Sequence, residues 1–325
     1  MLLIFIVNKA VFIYNKHDYI SLTNCWATFS KVGTPLSTIE IFFSYSHKDE
    51  TLREELGKQL SLLQWQGIIT GWHDRKIVAG QEWKDEIDTH LNTARIILLL
   101  ISPDFMASKY CFGVEVKRAM ERHEQGEAMV IPVILRPVYW KGAPFGKLQA
   151  LPTDAKAVTS SKWHDLDEAF FNVAEGIRMA IENLLARNEA EQWRRQGDRH
   201  FAQNHYVEAL AAYEQAIRLD PNYASVYASK GVVLPNLNRY QEALEACEQA
   251  IRLDPNFADA YLYKGDALVG LNRDQEALEA YEQAIRLDPN SASAYAIKGY
   301  ALERLNRNKE AQQAFEKARQ LGFSG

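Results

Sequence analysis

The feature that most narrows what this chain can become is a period of 34 residues in its C-terminal half. The string Ile-Arg-Leu-Asp-Pro-Asn begins at Ile217, Ile251 and Ile285. Gly197, Gly231, Gly265 and Gly299 keep the same spacing, as do Ala216, Ala250, Ala284 and Ala318. Trp193, Tyr227, Tyr261 and Tyr295 form an aromatic series, and Glu208-Ala209, Glu242-Ala243, Glu276-Ala277 and Glu310-Ala311 a recurring pair. A unit this short cannot bury an apolar face alone, so each copy must stack on its neighbours. Gly and Ala mark places where two helices approach closely, and the aromatics fill the gaps between successive hairpins. Pro221, Pro255 and Pro289 end one unit each, because proline cannot continue a helix.

This pattern resembles the tetratricopeptide (TPR) family over residues 188–325. The expectation is an all-α superhelix of four repeats, in a domain covering residues 187–325. The resemblance implies a scaffold that binds a protein or peptide. One mode in the family grips a C-terminal carboxylate with Lys and Asn on the inner helices. Here the inner positions read Arg194, Asp198, Ser225, Ala228, Val232, Asp259, Leu262 and Asp266, which is not a cationic clamp. The last helix, about Asn308 to Gln320, is rich in Lys, Gln and Glu. It reads either as its own polar cap or as an open end that favours self-association.

From Ile39 onward, short apolar strands alternate with longer amphipathic helices, the signature of a parallel sheet. Strands are expected at Ile41–Phe43, near Trp72, at Ile96–Ile101 and at Met129–Leu135, with a short one around Ala157–Thr159. A last helix is expected from about Asp165 to Leu185. The six-residue apolar run Ile96–Ile101 reads as a central strand buried on both faces.

Four motifs sit on this frame. Phe42-Phe43-Ser44-Tyr45-Ser46, followed by Asp49, closes the first strand. Trp72-His73-Asp74 leads into a loop that ends Gly80-Gln81-Glu82-Trp83. Ile101-Ser102-Pro103 ends the central strand, and Ser108-Lys109-Tyr110-Cys111 runs into Glu115. In this order they resemble the TIR family over residues 38–186, which implies a flavodoxin-like parallel sheet flanked by helices. One departure stands out. The family pattern is W-C-x-x-E, whereas Tyr110 lies five residues before Glu115 and Cys111 four. Either the helix start shifts by one residue or the aromatic meets the pocket from a different angle.

Many TIR domains cleave the nicotinamide–ribose bond of NAD, and the resemblance implies that activity here. Glu115 is then the catalytic residue. Tyr45, Ser46, Asp74, Trp83, Tyr110 and Cys111 are the expected substrate-binding residues. Glycoside hydrolysis ordinarily needs two carboxylates, one of them to protonate the leaving oxygen. The nicotinamide of NAD is already cationic and leaves neutral, so one ionised carboxylate suffices to orient the ribose and stabilise an oxocarbenium-like transition state. A place near a helix N-terminus favours the charged form, and ligands of open α/β sheets bind beyond the carboxyl ends of the strands. Phe112, Val116 and Met120 form an apolar face that Glu115 flanks. The plainer reading of each residue stands beside this one: Glu115 as a first-turn acid, Trp83 as packing, Asp74 as a loop cap. The competing function is a non-enzymatic TIR/TPR adaptor. A carboxylate open to a pocket favours the enzyme, and one paired to a buried Arg or capping a backbone favours the adaptor.

No phosphate-binding G-x-x-x-x-G-K-[ST], no dinucleotide G-x-G-x-x-G and no G-x-S-x-G elbow occurs. The net charge of −5 is shared between both halves, so neither shows the basic excess of a nucleic-acid-binding domain. Cys25, Cys111 and Cys247 lie far apart, which fits neither a disulfide framework nor a paired metal site. The expectation is a cytoplasmic protein without metal or cofactor, with NAD as substrate and homo-oligomers formed through the TIR domain. Residues 1–37 are expected to be a weakly ordered extension, with a membrane-surface anchor or a packed segment as alternatives. The apolar stretch Met1–Tyr14 is too short and too broken by Asn8 and Lys9 to span a bilayer.

Overall fold

The computed structural model describes residues 3–7, 10–14, 38–76 and 83–323. At the N-terminus Leu3–Val7 (β1) and Ala10–Tyr14 (β2) pair antiparallel. The rest of the expected extension lies outside the described residues. The chain divides into two compact units, residues 1–176 and 177–325.

The main sheet of the first unit consists of Ile39–Ser44 (β3), Ile69–Trp72 (β4), Ile96–Ile101 (β5) and Met129–Ile134 (β6), in the order β4-β3-β5-β6. All pairs are parallel. Every residue of β5 is buried, as its unbroken apolar sequence requires. Pro132 lies in β6, where its missing N–H is tolerated because β6 is an edge of the sheet. Glu50–Gln59 (α1), Ser61–Trp65 (α2) and Trp83–Thr93 (α3) connect the strands on one side of the order. After β5 come Pro103–Ala107 (α4), a π-helical turn Cys111–Glu115, and Val116–Glu124 (α5).

Two expectations need correction. No strand forms at Ala157–Thr159. Val158 N–H donates to Ile134 O at 2.8 Å and Thr159 N–H to Leu135 O at 3.0 Å, a contact too brief to build a ladder. The last helix of the α/β half does not stop at Leu185. It runs unbroken as Leu166–Ala202 (α6), since the intervening Ala186-Arg187-Asn188-Glu189-Ala190 contains neither Gly nor Pro to end it.

The second unit continues with Tyr206–Leu219 (α7), Ala224–Val233 (α8), Tyr240–Leu253 (α9), Ala258–Gly270 (α10), Asp274–Leu287 (α11), Ala292–Arg304 (α12) and Asn308–Gln320 (α13). The end of α6 pairs with α7, and the later helices pair in order. The periodic glycines do what their spacing implies. A Cβ at Gly197, Gly265 or Gly299 would lie 2.5, 2.2 or 2.5 Å from the ring of Tyr213, Tyr281 or Phe315, and at Gly231 2.3 Å from Cys247 Sγ. The turns inside the hairpins carry a further periodic signal. Asn204, Asn238, Asn272 and Asn306 all adopt φ near +60°, a region that Asn enters more readily than other side-chain-bearing residues. Lys230–Glu214, Lys264–Glu248 and Lys298–Glu282 ion pairs of 3.0, 3.0 and 2.8 Å join each repeat to the one before.

Candidate functional site

The carboxyl ends of β3 and β4, α3 and the turn after α4 enclose a cavity of about 410 Å³, within the ordinary range for small-molecule sites of about 300–1,000 Å³. Tyr45, Ser46, Asp74, Tyr110, Cys111 and Glu115 all line it. Six of the seven expected site residues are thus brought together from three segments. The side chain of the seventh, Trp83, lies outside the described residues. Trp72 adds an aromatic wall, held by stacking on Phe42 at 5.4 Å and His90 at 4.3 Å between ring centres.

Glu115 is only 5% exposed. Its Oε2 accepts a 2.5 Å hydrogen bond from Ser44 Oγ, at the last residue of β3. No other hydrogen bond to this carboxylate occurs among the described residues, and Glu115 lines the cavity. Arg122, buried on the following helix, does not reach it. That guanidinium donates instead to the carbonyls of Leu91 and Ala94 and to Glu127. Among the described residues, Glu115 is therefore neither ion-paired nor used to cap a backbone.

Glu115 does stand at a helix start, ending the π turn and immediately preceding α5, but that place does not decide its charge. Burial pushes its carboxyl up to about 7, the Ser44 hydrogen bond pulls it down, and the negative charges of Asp74 and Asp88 raise it. Burial, with the charge of Glu115 adding, also pushes the Cys111 thiol up to about 11 and the Tyr110 hydroxyl up to about 12. Cys111 is thus a neutral thiol, and it donates to the Tyr45 carbonyl at 3.4 Å.

The π turn accounts for the irregular spacing of this motif. Both Val114 N–H and Glu115 N–H donate to Tyr110 O, at 2.8 and 3.2 Å, and Val116 N–H donates to Cys111 O. An α-helix turns about 100° per residue, so a spacing of four from the aromatic places the glutamate between aromatic and cysteine. A fifth residue in an α-turn swings it past the cysteine. With about 80° per residue in a π turn, Glu115 returns to the interval between Tyr110 and Cys111. The extra residue bulges outward at exposed Gly113 and Val114. Of the two readings of the spacing, neither a shifted start nor a displaced aromatic is needed.

The opposite wall is fixed by hydrogen bonds. Tyr45 donates its hydroxyl to Asp74 at 2.8 Å, and His47 lies 3.3 Å from the same carboxylate. Burial and this acceptor raise the Tyr45 hydroxyl far above its ordinary range. Below, Asp49 is 1% exposed and accepts from Ser102 at 2.5 Å and from Arg136 Nε at 2.8 Å. Arg136 also pairs with Asp104, which Lys48 contacts at 2.7 Å. Loops following β3, β5 and β6 are thereby tied at the sheet's carboxyl rim. Sequence reasoning assigned no role to Ser44, Ser102 or Arg136. Ser44 left a signal, a hydroxyl closing an otherwise apolar strand, since a buried polar group needs a partner.

With the geometry in hand, comparison with known proteins gives two matches to family models. Residues 41–169 match the TIR domain, and residues 194–258, 233–292 and 262–322 match the tetratricopeptide repeat. A curated relative, uncharacterized protein y4lF of Sinorhizobium fredii, is 58% identical over 140 residues, 43% of each chain. The chain thus spans less than half the length of that relative. Among solved structures, a MamA RS-1 double mutant is similar at 26% identity and a TM-score of 0.38, over 45% of this chain and 84% of that one. The TPR2B-domain:pHsp70 complex of yeast Sti1 is similar at 28% identity and a TM-score of 0.32, over 41% and 97%.

Proposed function

We propose that this chain, a TIR domain at residues 41–169 followed by TPR repeats at residues 194–322, hydrolyses the nicotinamide–ribose bond of NAD under the control of its repeats. One observation carries the reading. Glu115 lines the cavity at the carboxyl end of the sheet with one oxygen anchored by a hydroxyl and, among the described residues, no ion pair to neutralise it. A structural carboxylate at that depth would be paired with an arginine, and the buried Arg122 that stands on the next helix is engaged elsewhere.

The chemistry follows from charge. Nicotinamide leaves NAD as a neutral molecule, so no acid is required of the protein. Ionised Glu115 faces the positive charge that grows on the ribose ring as the bond breaks, in a site where burial strengthens the attraction. The rings of Tyr45 and Tyr110 bound the cavity, and Asp74 holds Tyr45 in place. Water completes the reaction at the ribose carbon. The repeats bind a protein or peptide, or a second copy, and bring TIR domains together.

The test is release of free nicotinamide by the full chain incubated with NAD at high protein concentration, with Glu115→Ala alongside. Release lost in the variant supports hydrolysis and the role of Glu115. Release that persists assigns the reaction to another group. No release from the unaltered chain, even when copies are artificially clustered, leaves a TIR/TPR adaptor as the function.

A further inference from the structure

We propose that Ser44 is the positioning residue of this site, holding one oxygen of Glu115 so that the other is presented, ionised, to the cavity. The inference rests on the reading of Glu115 as the catalytic carboxylate.

β3 pairs with β5 in the register Ile41–Ile96, Phe42–Ile97, Phe43–Leu98 and Ser44–Leu99. Alternation along a strand puts Ser44 on the same face as Phe42, which packs in the core with Trp72, Ile97 and Leu99. The position calls for an apolar side chain, yet a hydroxyl stands there, 1% exposed. It reaches a carboxylate 71 residues away in sequence. Because Ser44 is paired with Leu99 of the buried strand β5, its Cβ is fixed by the ladder on that side, and its hydroxyl has little freedom. The carboxylate it holds lies at the end of a longer side chain with more rotatable bonds, where the π turn closes. The rigid partner therefore orients the softer one.

The electrical surroundings make the bond matter. Among the described residues, the ionisable groups that bear on Glu115 are Asp74 beyond β4, Asp88 on α3, and Tyr110 and Cys111 on its own turn. His47 and Lys48 also line the cavity, but they are engaged by Asp74 and Asp104. Burial and both aspartates oppose the charge on Glu115, and the Ser44 hydroxyl is the group that favours it. Without that donor the carboxylate would stay protonated to higher pH.

The experiment compares the full chain with Ser44→Ala and Ser44→Thr. Glutamate carrying a ¹³C-labelled carboxyl reports the titration of Glu115 by NMR, with the resonance identified by its loss in Glu115→Gln. Nicotinamide release is followed against pH in parallel. The midpoint of Glu115 is expected to rise by about one unit in Ser44→Ala, and the acid limb of release to rise with it. That is roughly a tenfold loss on the acid limb, with recovery at high pH. Ser44→Thr, which keeps the hydroxyl, restores both. If Ser44→Ala does not fold, Ser44→Cys keeps the volume, weakens the donor and carries the same comparison. An unmoved midpoint, or a rate lowered equally at every pH, overturns the proposal. A midpoint that rises in a chain releasing no nicotinamide upholds the role of Ser44 and defeats hydrolysis. Release with an unmoved midpoint does the reverse.

Discussion

In the repeat unit each structural position is filled four times, while in the α/β unit each is filled once, and the two report on necessity differently. Tyr213 donates to Asp198 and Tyr281 to Asp266, both at 2.8 Å. The corresponding pairs in the other repeats are Val232 with Cys247, and Tyr300 with Phe315, whose rings meet edge to face at 5.0 Å. The hairpin accepts a polar pair or an apolar pair and rejects only a mismatch, because a hydroxyl or carboxylate without its partner is what costs free energy. Ser44 and Glu115 have no second copy to compare. Their pairing looks equally satisfied, but one member lines a cavity and the same free-energy argument acquires a chemical meaning.

The largest expected effect separates the units by what each residue is for. Glu115→Gln should lower nicotinamide release by about a thousandfold, near 4 kcal/mol of transition-state stabilisation, while helping the fold. The unfolded carboxyl titrates near 4.5 and the folded one near 7. Between those values the native state keeps a proton that the unfolded state has lost, so stability falls as pH rises through the window and levels off above 7. The loss is roughly 3 kcal/mol. Urea titrations at pH 5 and pH 8 should show Glu115→Gln gaining by about that amount at the higher pH only. No such gain would mean the carboxylate is better solvated than its burial implies.

A smaller effect comes from one substitution made in both units. Gly265→Ala sets a Cβ against the Tyr281 ring at 2.2 Å and should cost about 1–3 kcal/mol of stability. Gly113→Ala meets nothing within 4 Å and relieves a helix-interior glycine, for a gain of about 0.5–1 kcal/mol. Melting temperatures moving the same way would break the contrast. Next comes conversion of the second repeat to the polar pairing. Val232→Asp and Cys247→Tyr, each destabilising alone, should show a favourable coupling of about 1–2 kcal/mol in a double-mutant cycle. Strict additivity would mean the two positions do not answer each other. The smallest expected change is Lys264→Met, which removes the half-exposed pair with Glu248. It should cost about 0.5 kcal/mol or less, and the loss should fade as salt is raised.

What could be read from sequence divides along the same line. Periodicity exposed the helix pairs and their close-packed glycines, since every constraint was stated four times. The left-handed Asn204, Asn238, Asn272 and Asn306 were equally periodic and legible. In the α/β unit, the order of motifs was enough to collect Tyr45, Ser46, Asp74, Tyr110, Cys111 and Glu115 around one cavity. The π turn was not legible, because the apolar series Phe112, Val116 and Met120 reads as helix in either register. Nor was the protonation of Glu115, which depends on how deeply tertiary packing covers it and not on its place in a helix. The end of the last helix of that half was missed because Ala186–Ala190 signals nothing at all.

The ladder of Lys230–Glu214, Lys264–Glu248 and Lys298–Glu282 bears on descent. Each rung joins the second helix of one hairpin to the first helix of the next, over an interval of 16 positions. A tandem duplication of any 34-residue block, in register, would recreate a complete rung at the new junction and disturb none of the old ones. Unequal recombination can therefore lengthen or shorten this array without passing through a misfolded ancestor. Chains descended from this one should differ in length by whole multiples of that block, all of it after the cavity.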